Sequence, residues 1–306
     1  MGENNIISIN DYLTGIFKDF KNYIEEEDGL CDLLDLNFIG NHVPNYNNKN
    51  IVQYYLLRYA FSYMFEYKHL YSNYFLSKKW LSNQTLRILS IGCGNYMDYW
   101  GAAYVADKQD KSFKIKYIGI DQVDWHYKIS KRKNDEIQFY CEDIVSYLET
   151  QKRIDSNYII FPKSIGEFSD ETFRRICTLF KKINFSSKEL HLIFSIRESQ
   201  NHIRSDMNRA IEIVSCFKNN QFNDYRISKF NKNKPLVLTP QAIVTSDKEF
   251  RYPDEIKNYL CTLHSNCKTQ NNSFNCMHCL DQLNRNPILT TNHIKYMYAK
   301  VIRKDD

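Results

Sequence analysis

The fold is decided by the stretch LRILSIGCGNYMDYWG, which spans Leu86–Gly101. Its first residues are mostly apolar and turn residues follow at once, so a short buried strand is predicted over 86–91. The turn Gly92-Cys93-Gly94 comes next, and a helix is expected from about Met97. Strand, glycine turn and helix form the ligand-cradling unit of doubly wound α/β folds, because glycine lets the backbone approach a ligand and a helix N-terminus offers free N–H groups. Taken alone, the turn fits a plain connection between a strand and a helix equally well.

Two more predicted strands end on acidic side chains. Residues 116–120 predict the second strand, which Asp121 follows, and residues 137–141 predict the third, which leads to Asp143. A carboxylate at the tip of the second parallel strand can accept from both hydroxyls of a ribose, since each hydroxyl is a donor. Asp143 can accept from an exocyclic amine, and it can also cap a helix that starts at Ile144.

The segments LSIGCGNY, YIGID and FYCEDI resemble motifs one, two and three of the class I S-adenosylmethionine-dependent methyltransferases. The resemblance covers about Leu86–Arg197 and implies a Rossmann-like, seven-stranded, mostly parallel sheet with helices on both faces. It also implies that S-adenosylmethionine binds there, with Asp121 at the ribose and Asp143 at the adenine amine. The residues implied for the cofactor site are Ser90, Gly92, Cys93, Gly94, Asp121, Gln122, Asp143 and Ile144.

Two positions depart from the motif-one pattern. Ser90 stands where an acidic residue is frequent, and Tyr96 stands where a third glycine is expected. Both weaken the resemblance, and they leave open a binding or scaffolding protein on a degenerate methyltransferase fold. A nicotinamide dehydrogenase is the nearest rival among enzymes, but its glycine pattern would require glycine at Met97.

Composition sets broad limits. The chain has 306 residues, is 43% hydrophobic and carries a formal net charge of +5, which permits a nucleic-acid partner without requiring one. No apolar run is long enough for a transmembrane helix, and the N-terminal residues lack the pattern of a signal peptide. A cytoplasmic protein without a membrane partner is expected, in which the nine cysteines are reduced.

The chain divides into four predicted parts. Residues 1–80 form an N-terminal helical cap, 81–230 the cofactor-binding core, 231–291 a Cys-rich insertion, and 292–306 the final strand of the sheet. The longest predicted helix, over 51–76, carries many tyrosines. One interpretation is an amphipathic helix packed on the sheet. The other is that part of its aromatic face lines the substrate pocket, where rings can stack on a base or enclose a cation.

The loop after the predicted fourth strand faces the transferable methyl group, because ligands of open α/β sheets lie beyond the carboxyl ends of the strands. Its candidate catalytic residues are Lys163, Ser164 and Glu167, which would position or deprotonate the acceptor. Loop polarity and helix capping explain the same residues equally well. The loop lacks the motif of amino-methylating nucleic-acid enzymes, and no cysteine follows a proline as in the cytosine-C5 enzymes.

Four cysteines of the insertion have the spacing C-x5-C-x8-C-x2-C. They are Cys261, Cys267, Cys276 and Cys279, with His264 and His278 nearby, and His264 is an alternative ligand to Cys261. Two thiolates from a Cys-x-x-Cys turn and two more can complete a tetrahedral zinc site, which we expect beside the substrate entrance. An iron–sulfur cluster is a lesser alternative. Four reduced, partly buried thiols in a helical hairpin are the other interpretation.

These features together predict a methyltransferase that uses S-adenosylmethionine, with zinc as a second candidate cofactor. The sequence does not identify the acceptor. RNA is slightly favoured, because of the mild positive charge, the aromatic helix and the cysteine insertion, and a small molecule or a protein side chain remains open.

Overall fold

The computed structural model describes residues 6–26, 30–38, 42–72, 85–109, 114–197, 203–217, 225–227, 237–238, 251–267, 279, 283–289 and 294–303. Its helices are α1 (Ile9–Glu26), α2 (Lys49–Leu70), α3 (Met97–Gln109), α4 (Ile144–Thr150), α5 (Asp170–Phe180), α6 (Ile203–Cys216) and α7 (Asp254–Cys261). Its strands are β1 (Thr85–Ile91), β2 (Lys114–Asp121), β3 (Glu136–Cys141), β4 (Arg153–Ile154), β5 (Tyr158–Pro162), β6 (Asn184–Phe185), β7 (Glu189–Arg197), β8 (Tyr225–Ile227), β9 (Val237–Leu238) and β10 (Ile294–Arg303).

The central sheet has the strand order β3-β2-β1-β5-β7-β10-β8. The first five strands in this order are parallel, and β10 runs antiparallel to β7 and β8. The predicted seven-stranded, mostly parallel sheet is therefore confirmed. Within the described ranges, the short β9 adds an eighth strand beside β10, and β4 and β6 form a separate small pair.

Alternation along β1 gives the sheet two buried faces. Ile88 packs in the cluster that contains α1, α2 and α3, whereas Leu89 packs in the cluster that contains α4, α5 and α6. Successive side chains of a strand point to opposite faces, so one apolar strand supplies both cores. The predicted α/β architecture with helices on both faces follows from this packing.

The N-terminal helices share their apolar core with the sheet. Phe20 and Leu56 lie in the same cluster as Ile88. Two hydrogen bonds add to this contact, because the Trp100 indole donates to the Ile7 carbonyl at 2.7 Å and the Tyr12 hydroxyl donates to the Tyr127 carbonyl at 2.7 Å. The helical cap is thus continuous with the core, and the domain boundary near residue 80 stays a prediction. No helix in the described part of the chain has both the length and the apolar character needed to cross a membrane.

A glycine sets the distance between α2 and α3. A Cβ atom at Gly101 would lie 2.5 Å from the Tyr67 Cβ and 2.6 Å from its carbonyl carbon. Contacts of that length do not occur, and backbone atoms cannot swing aside as a flexible side chain can. The helix that carries the tyrosines is therefore held close to the helix that follows the glycine turn.

Replacing Gly101 by alanine should destabilise the protein. Forcing the two helices apart costs about 1–3 kcal/mol, which outweighs the gain of up to about 1 kcal/mol in helix propensity. Urea unfolding should show the loss as a lower midpoint. Gly15→Ala is the matched control, since Gly15 is an exposed α1 residue with no atom within 4 Å of its would-be Cβ. It should gain about 0.5–1 kcal/mol, and an equal gain at Gly101 would contradict the proposed close packing.

Candidate active site

A cavity of about 760 Å³ opens at the carboxyl edge of the sheet. The glycine turn after β1, together with Asp98 and Asp121, forms one side of it. The loop after β5 forms another side, with Lys163 and the segment 166–169, and the tyrosines of α2 face the cavity as well. The structure therefore places motif one, the tip of β2 and the exit loop of β5 around one space.

The glycine turn has the conformation and the tight packing that require glycine. Gly92 and Gly94 have φ angles of 74° and 52°, in the left-handed region. A side chain at Gly92 would overlap the Cβ of Ser164. Ser164 is buried and its hydroxyl donates to the Ile91 carbonyl. Ser164 was predicted as a catalytic residue, but it does not line the cavity. Its hydrogen bond to the Ile91 carbonyl instead supports the glycine turn from the core.

Tyr96, at the position of the missing third glycine, has a left-handed backbone conformation. Its φ angle is 66°, and its buried ring packs edge-on against Tyr117 at 5.5 Å and Phe139 at 5.8 Å. Gly119 makes the room, because a Cβ there would lie 3.2 Å from the Tyr96 ring and 2.8 Å from the Cys93 sulfur. Tyrosine at this position therefore preserves the shape of the turn.

Asp121 ties the turn to β2. Its Oδ2 accepts from the Gly94 N–H at 2.9 Å and its Oδ1 accepts from the Val123 N–H at 3.0 Å. Burial raises the pKa of this carboxyl, and the backbone N–H groups of Val123 and Gly94 act in the opposite direction. Asp121 lines the cavity, as predicted for a ligand-binding residue, and it also holds the loop that would surround the ligand.

Asp98 is a candidate site residue that the sequence analysis missed. It lies in the first turn of α3, is 1% exposed and lines the cavity. Its Oδ1 accepts from the Tyr117 hydroxyl at 2.8 Å, and its Oδ2 makes no hydrogen bond of normal geometry in the described part of the chain. The Ser90 hydroxyl lies near the same carboxyl and acts to lower its pKa. Burial raises its pKa to about 6. The sequence signal was an acidic residue in the first turn of the helix after the glycine turn.

A buried carboxylate oxygen that makes no hydrogen bond of normal geometry, beside a glycine turn, fits an ammonium group. S-adenosylmethionine carries such a group at its methionine end, and the resemblance places that end near Gly92 and Gly94. Asp98 of α3 thus brings a carboxylate to the cavity, whereas motif one has Ser90 at its usual acidic position. Ser90 itself is fully buried in β1. The residues present thus fit the methyl donor.

Gln122, Asp143 and Ile144, predicted for the cofactor site, do not line the cavity. The Gln122 amide donates to Asp143 Oδ2 at 2.8 Å, which joins the ends of β2 and β3. Asp143 Oδ1 accepts from the Val145 N–H at 2.8 Å, so the predicted cap of α4 is confirmed. Ile144 is buried in the core behind this cap. The adenine contact of Asp143 stays a prediction.

Lys163 follows β5 with a left-handed backbone, at a φ angle of 66°. Its ammonium lies over the ring of Tyr63 and 3.0 Å from Glu66 Oε2 of α2. Glu66 is buried, which raises its pKa to about 7 even though Lys163 acts to lower it. Glu167 is exposed and lines the cavity on the same loop. The sequence analysis placed Glu66 only on the helix and gave it no role.

The aromatic face of α2 lines the cavity, as one of the two interpretations of this helix predicted. The residues are Tyr55, Tyr59, Tyr63 and Tyr67, spaced by one helical turn each. Successive rings along the helix contact each other. The centroids of Tyr55 and Tyr59 are 5.3 Å apart, and those of Tyr59 and Tyr63 are 6.0 Å apart. Trp125 and Tyr46 extend this wall, with centroids 4.5 Å apart.

The predicted zinc ligands are only partly described. The Cys261 thiol donates to Asn286 Oδ1 at 3.0 Å, and the Cys279 sulfur lies 3.8 Å from that of Cys31. Among the residues that the structure describes, no three His, Cys, Asp or Glu side chains are grouped to hold a metal. Cys276 lies outside the described residues, and so does His278. The four-cysteine zinc site, which includes Cys267, stays a prediction.

The described parts of the insertion contact α2 rather than the cavity. The Tyr252 hydroxyl donates to the Leu57 carbonyl at 2.7 Å, and the Tyr54 hydroxyl donates to the Leu283 carbonyl at 2.9 Å. None of the described insertion residues lines the cavity. These residues were expected beside the substrate entrance. They instead pack on α2 and do not line the cavity.

No protein-family model matches the sequence, and no curated protein matches it. Solved structures do resemble the fold. One is a SAM-dependent methyltransferase from Archaeoglobus fulgidus, with 13% identity, a TM-score of 0.36, and coverage of 78% of this chain and 94% of that one. Another is the plantazolicin methyltransferase BpumL, with 14% identity, a TM-score of 0.38, and coverage of 95% and 99%.

A third similar structure is a TehB-like SAM-dependent methyltransferase from Corynebacterium glutamicum, with 7% identity, a TM-score of 0.33, and coverage of 80% of this chain and 88% of that one. Sequence identities this low concern the fold alone. The chain's own features define that fold, because β10 is antiparallel between β7 and β8 and a glycine turn follows the central β1. The protein has the Rossmann-like fold of the class I S-adenosylmethionine-dependent methyltransferases.

Proposed function

We propose that the protein transfers a methyl group from S-adenosylmethionine to a small acceptor that binds against the tyrosines of α2. The observation that carries this proposal is the buried Asp98 carboxylate, whose Oδ2 makes no hydrogen bond of normal geometry among the described residues and which lines the cavity next to the glycine turn. A scaffolding protein that had lost its cofactor would have no need for such a group. Tyr96 also keeps the turn in shape, which weakens the degenerate-fold alternative.

Different residues of the chain would contact different parts of the donor. Asp98 would pair with the donor's ammonium group, and the backbone of Gly92–Gly94 would approach its methionine part. Asp121 would accept from the ribose hydroxyls, since a carboxylate oxygen can accept more than one hydrogen bond. Asp143 and Gln122 would face the adenine. The bound donor supplies a methyl carbon activated by a sulfonium, so the protein's task is chiefly to align the acceptor with it.

The cavity favours a small acceptor over RNA. Its described lining has two basic side chains, and each is paired with a carboxylate: Lys163 with Glu66 at 3.0 Å and His42 with Asp35 at 3.0 Å. Recognition of a phosphate backbone requires cations that face the ligand. The aromatic wall instead suits an apolar or planar body. Phe38 and Val43, which are 46% and 71% exposed, give the cavity an apolar rim.

The first test is direct binding. Calorimetry should show one site for S-adenosylmethionine and for S-adenosylhomocysteine in the unmodified protein. Asp121→Ala removes the acceptor for the Gly94 and Val123 N–H groups as well as the ribose contact, and such charge-assisted bonds contribute roughly 1.5–3 kcal/mol each. Affinity should fall at least about tenfold with the fold intact. Asp124→Ala, an exposed neighbour, is the control and should bind normally. Equal affinity in both variants would remove Asp121 from the site.

The second test uses the pH dependence of Asp98. Its pKa in the folded protein is raised to about 6 from 3.8, so its contribution to stability is full below the unfolded pKa and is lost as pH rises through about 6. Between about pH 4 and pH 7, the ligand-free protein should lose about 3 kcal/mol relative to Asp98→Asn, measured by urea unfolding. Asp32→Asn, at an exposed position, should track the unmodified protein.

The affinity for the donor should also depend on the protonation of Asp98. The affinity for S-adenosylmethionine should decline below about pH 6 in the unmodified protein, because a protonated Asp98 cannot pair with an ammonium. In Asp98→Asn the affinity should be lower and should lack this dependence. A parallel decline in both proteins would show that Asp98 does not contact the donor.

The zinc prediction has its own measurement. Protein purified without chelator and kept reduced should contain about one equivalent of zinc per chain if Cys261, Cys267, Cys276 and Cys279 form the site, and removal should loosen the insertion. Elemental analysis without a stoichiometric metal would leave reduced thiols as the explanation of this cluster.

A further inference from the structure

The contact between Lys163 and Glu66 joins the sheet edge to the cap. Lys163 is the first residue after β5, and it adopts a positive φ angle of 66° although it is not glycine. Strained backbone at a residue with a long side chain persists where the surrounding structure fixes it, frequently at functional sites. With this backbone conformation the side chain extends to α2, where Nζ lies 3.0 Å from Glu66 Oε2.

The environment of this pair is apolar and aromatic. The two side chains are 11% and 2% exposed for Lys163 and Glu66. The groups that face Glu66 are Lys163 from the exit loop, Tyr63 and Tyr67 from α2, and Tyr296 from β10. Tyr63 and Tyr67 also present their rings to the Lys163 ammonium. The carboxylate of Glu66 therefore lies within ion-pair distance of the lysine charge in a setting with little access to water.

We propose that Glu66 is a positioning residue for the methyl transfer, which keeps Lys163 protonated and fixed at the cavity wall. A carboxylate at this distance favours the charged form of an amine, whereas burial alone disfavours it. A protonated lysine has three donors and no lone pair, so it cannot remove a proton. Lys163 therefore donates a hydrogen bond to the acceptor and does not act as its base.

This inference rests on the proposed function, and it constrains the acceptor. The acceptor must present to Lys163 an oxygen or nitrogen lone pair other than the one that attacks the methyl carbon. In the transfer, a lone pair of the acceptor forms the bond to the methyl carbon. The carbon–sulfur bond breaks with its electrons to sulfur, which leaves a neutral thioether, and a proton of the acceptor passes to solvent.

The pKa of Glu66 determines at which pH the Glu66→Gln variant should differ from the unmodified protein. Below about pH 7 most Glu66 is protonated, since its pKa is about 7, and the unmodified protein should then resemble Glu66→Gln. Above pH 7 the ionised Glu66 holds the proton on Lys163. Glu66→Gln removes that carboxylate, so the buried lysine should lose its proton at a lower pH than in the unmodified protein. The two proteins should therefore diverge as pH rises.

The first experiment follows the protonation of Lys163 without any acceptor. Protein labelled with ¹³C at lysine Cε is titrated by NMR, and the Lys163 signal is assigned by its absence in Lys163→Met. The titration midpoint should fall by at least one pH unit in Glu66→Gln. Glu189→Gln is the control, because Glu189 pairs with Lys300 at 2.7 Å on β10, at the opposite end of the sheet strands. An unchanged midpoint in Glu66→Gln would overturn the proposal.

The second experiment measures transfer of labelled methyl from S-adenosylmethionine into a protein-free, nucleic-acid-free extract of the source cells. Glu66→Gln should match the unmodified protein within about threefold at pH 6.5 and should fall below it at pH 8.5 in proportion to the fraction of Lys163 that the NMR titration shows to have lost its proton. An equal loss at both pH values would show that Glu66 has a purely structural role. Absence of donor binding in calorimetry would count against the proposed function, while the NMR midpoint would still decide the role of Glu66.

Folding of the variants is checked by a double substitution. Glu66→Gln alone removes one charge of a buried ion pair and should lower the melting temperature, whereas Glu66→Gln with Lys163→Met removes both charges and should restore part of it. Glu66→Asp keeps the carboxylate and should keep the Lys163 midpoint nearer to that of the unmodified protein. A midpoint in Glu66→Asp as low as in Glu66→Gln would contradict the role of the carboxylate.

Discussion

The site depends on the hydrogen bonds that tie the glycine turn to the neighbouring strand. The Gly92 N–H donates to the Ile120 carbonyl at 2.8 Å, and the Gly94 N–H donates to Asp121. These bonds fix where α3 begins, and thereby place Asp98 in the cavity. The rest of α3 then determines the position of α2, because Gly101 allows the two helices to touch. One turn therefore sets both the side of the cavity that carries Asp98 and the side formed by the tyrosines of α2.

The same arrangement explains why so many tyrosines are tolerated in a buried helix. Burial raises the pKa of Tyr55 and Tyr63 well above the usual range, with the nearby tyrosines adding to the effect, so the hydroxyls stay neutral. A neutral hydroxyl needs only a hydrogen-bond partner when it is buried, and Tyr54 finds one in the Leu283 carbonyl. The insertion thus provides the hydrogen-bond acceptor for Tyr54, whereas Tyr55, Tyr59, Tyr63 and Tyr67 line the cavity.

Sequence reasoning predicted the elements whose signal is local. The glycine turn, the acidic ends of β2 and β3 and the cap at Asp143 are read from neighbouring residues, and the structure brings Gly92, Asp121 and Lys163 to one cavity. Asp98 and Glu66 were missed because each is a polar residue on a helix, where a solvent-exposed face is the usual explanation. Only tertiary packing buries them.

Ser164 shows the opposite error. A serine in a loop suggests a substrate contact, but its hydroxyl is used by the Ile91 carbonyl in the core. Contacts between distant parts of the chain were also beyond local patterns. Cys31 and Cys279 meet across 248 positions, and no spacing rule predicts such a pair.

The position of Trp125 has a practical consequence for studying this protein. Its indole stands in the cavity wall beside Tyr46, whereas Trp100 is buried in the core and hydrogen-bonded to Ile7. The first ring is therefore exposed to whatever enters the cavity, and the second is shielded from it. Intrinsic fluorescence should carry an occupancy signal from Trp125 beside the emission of Trp100 and Trp80, and a Trp80→Phe variant would leave one reporting and one shielded ring for optical assays of candidate acceptors.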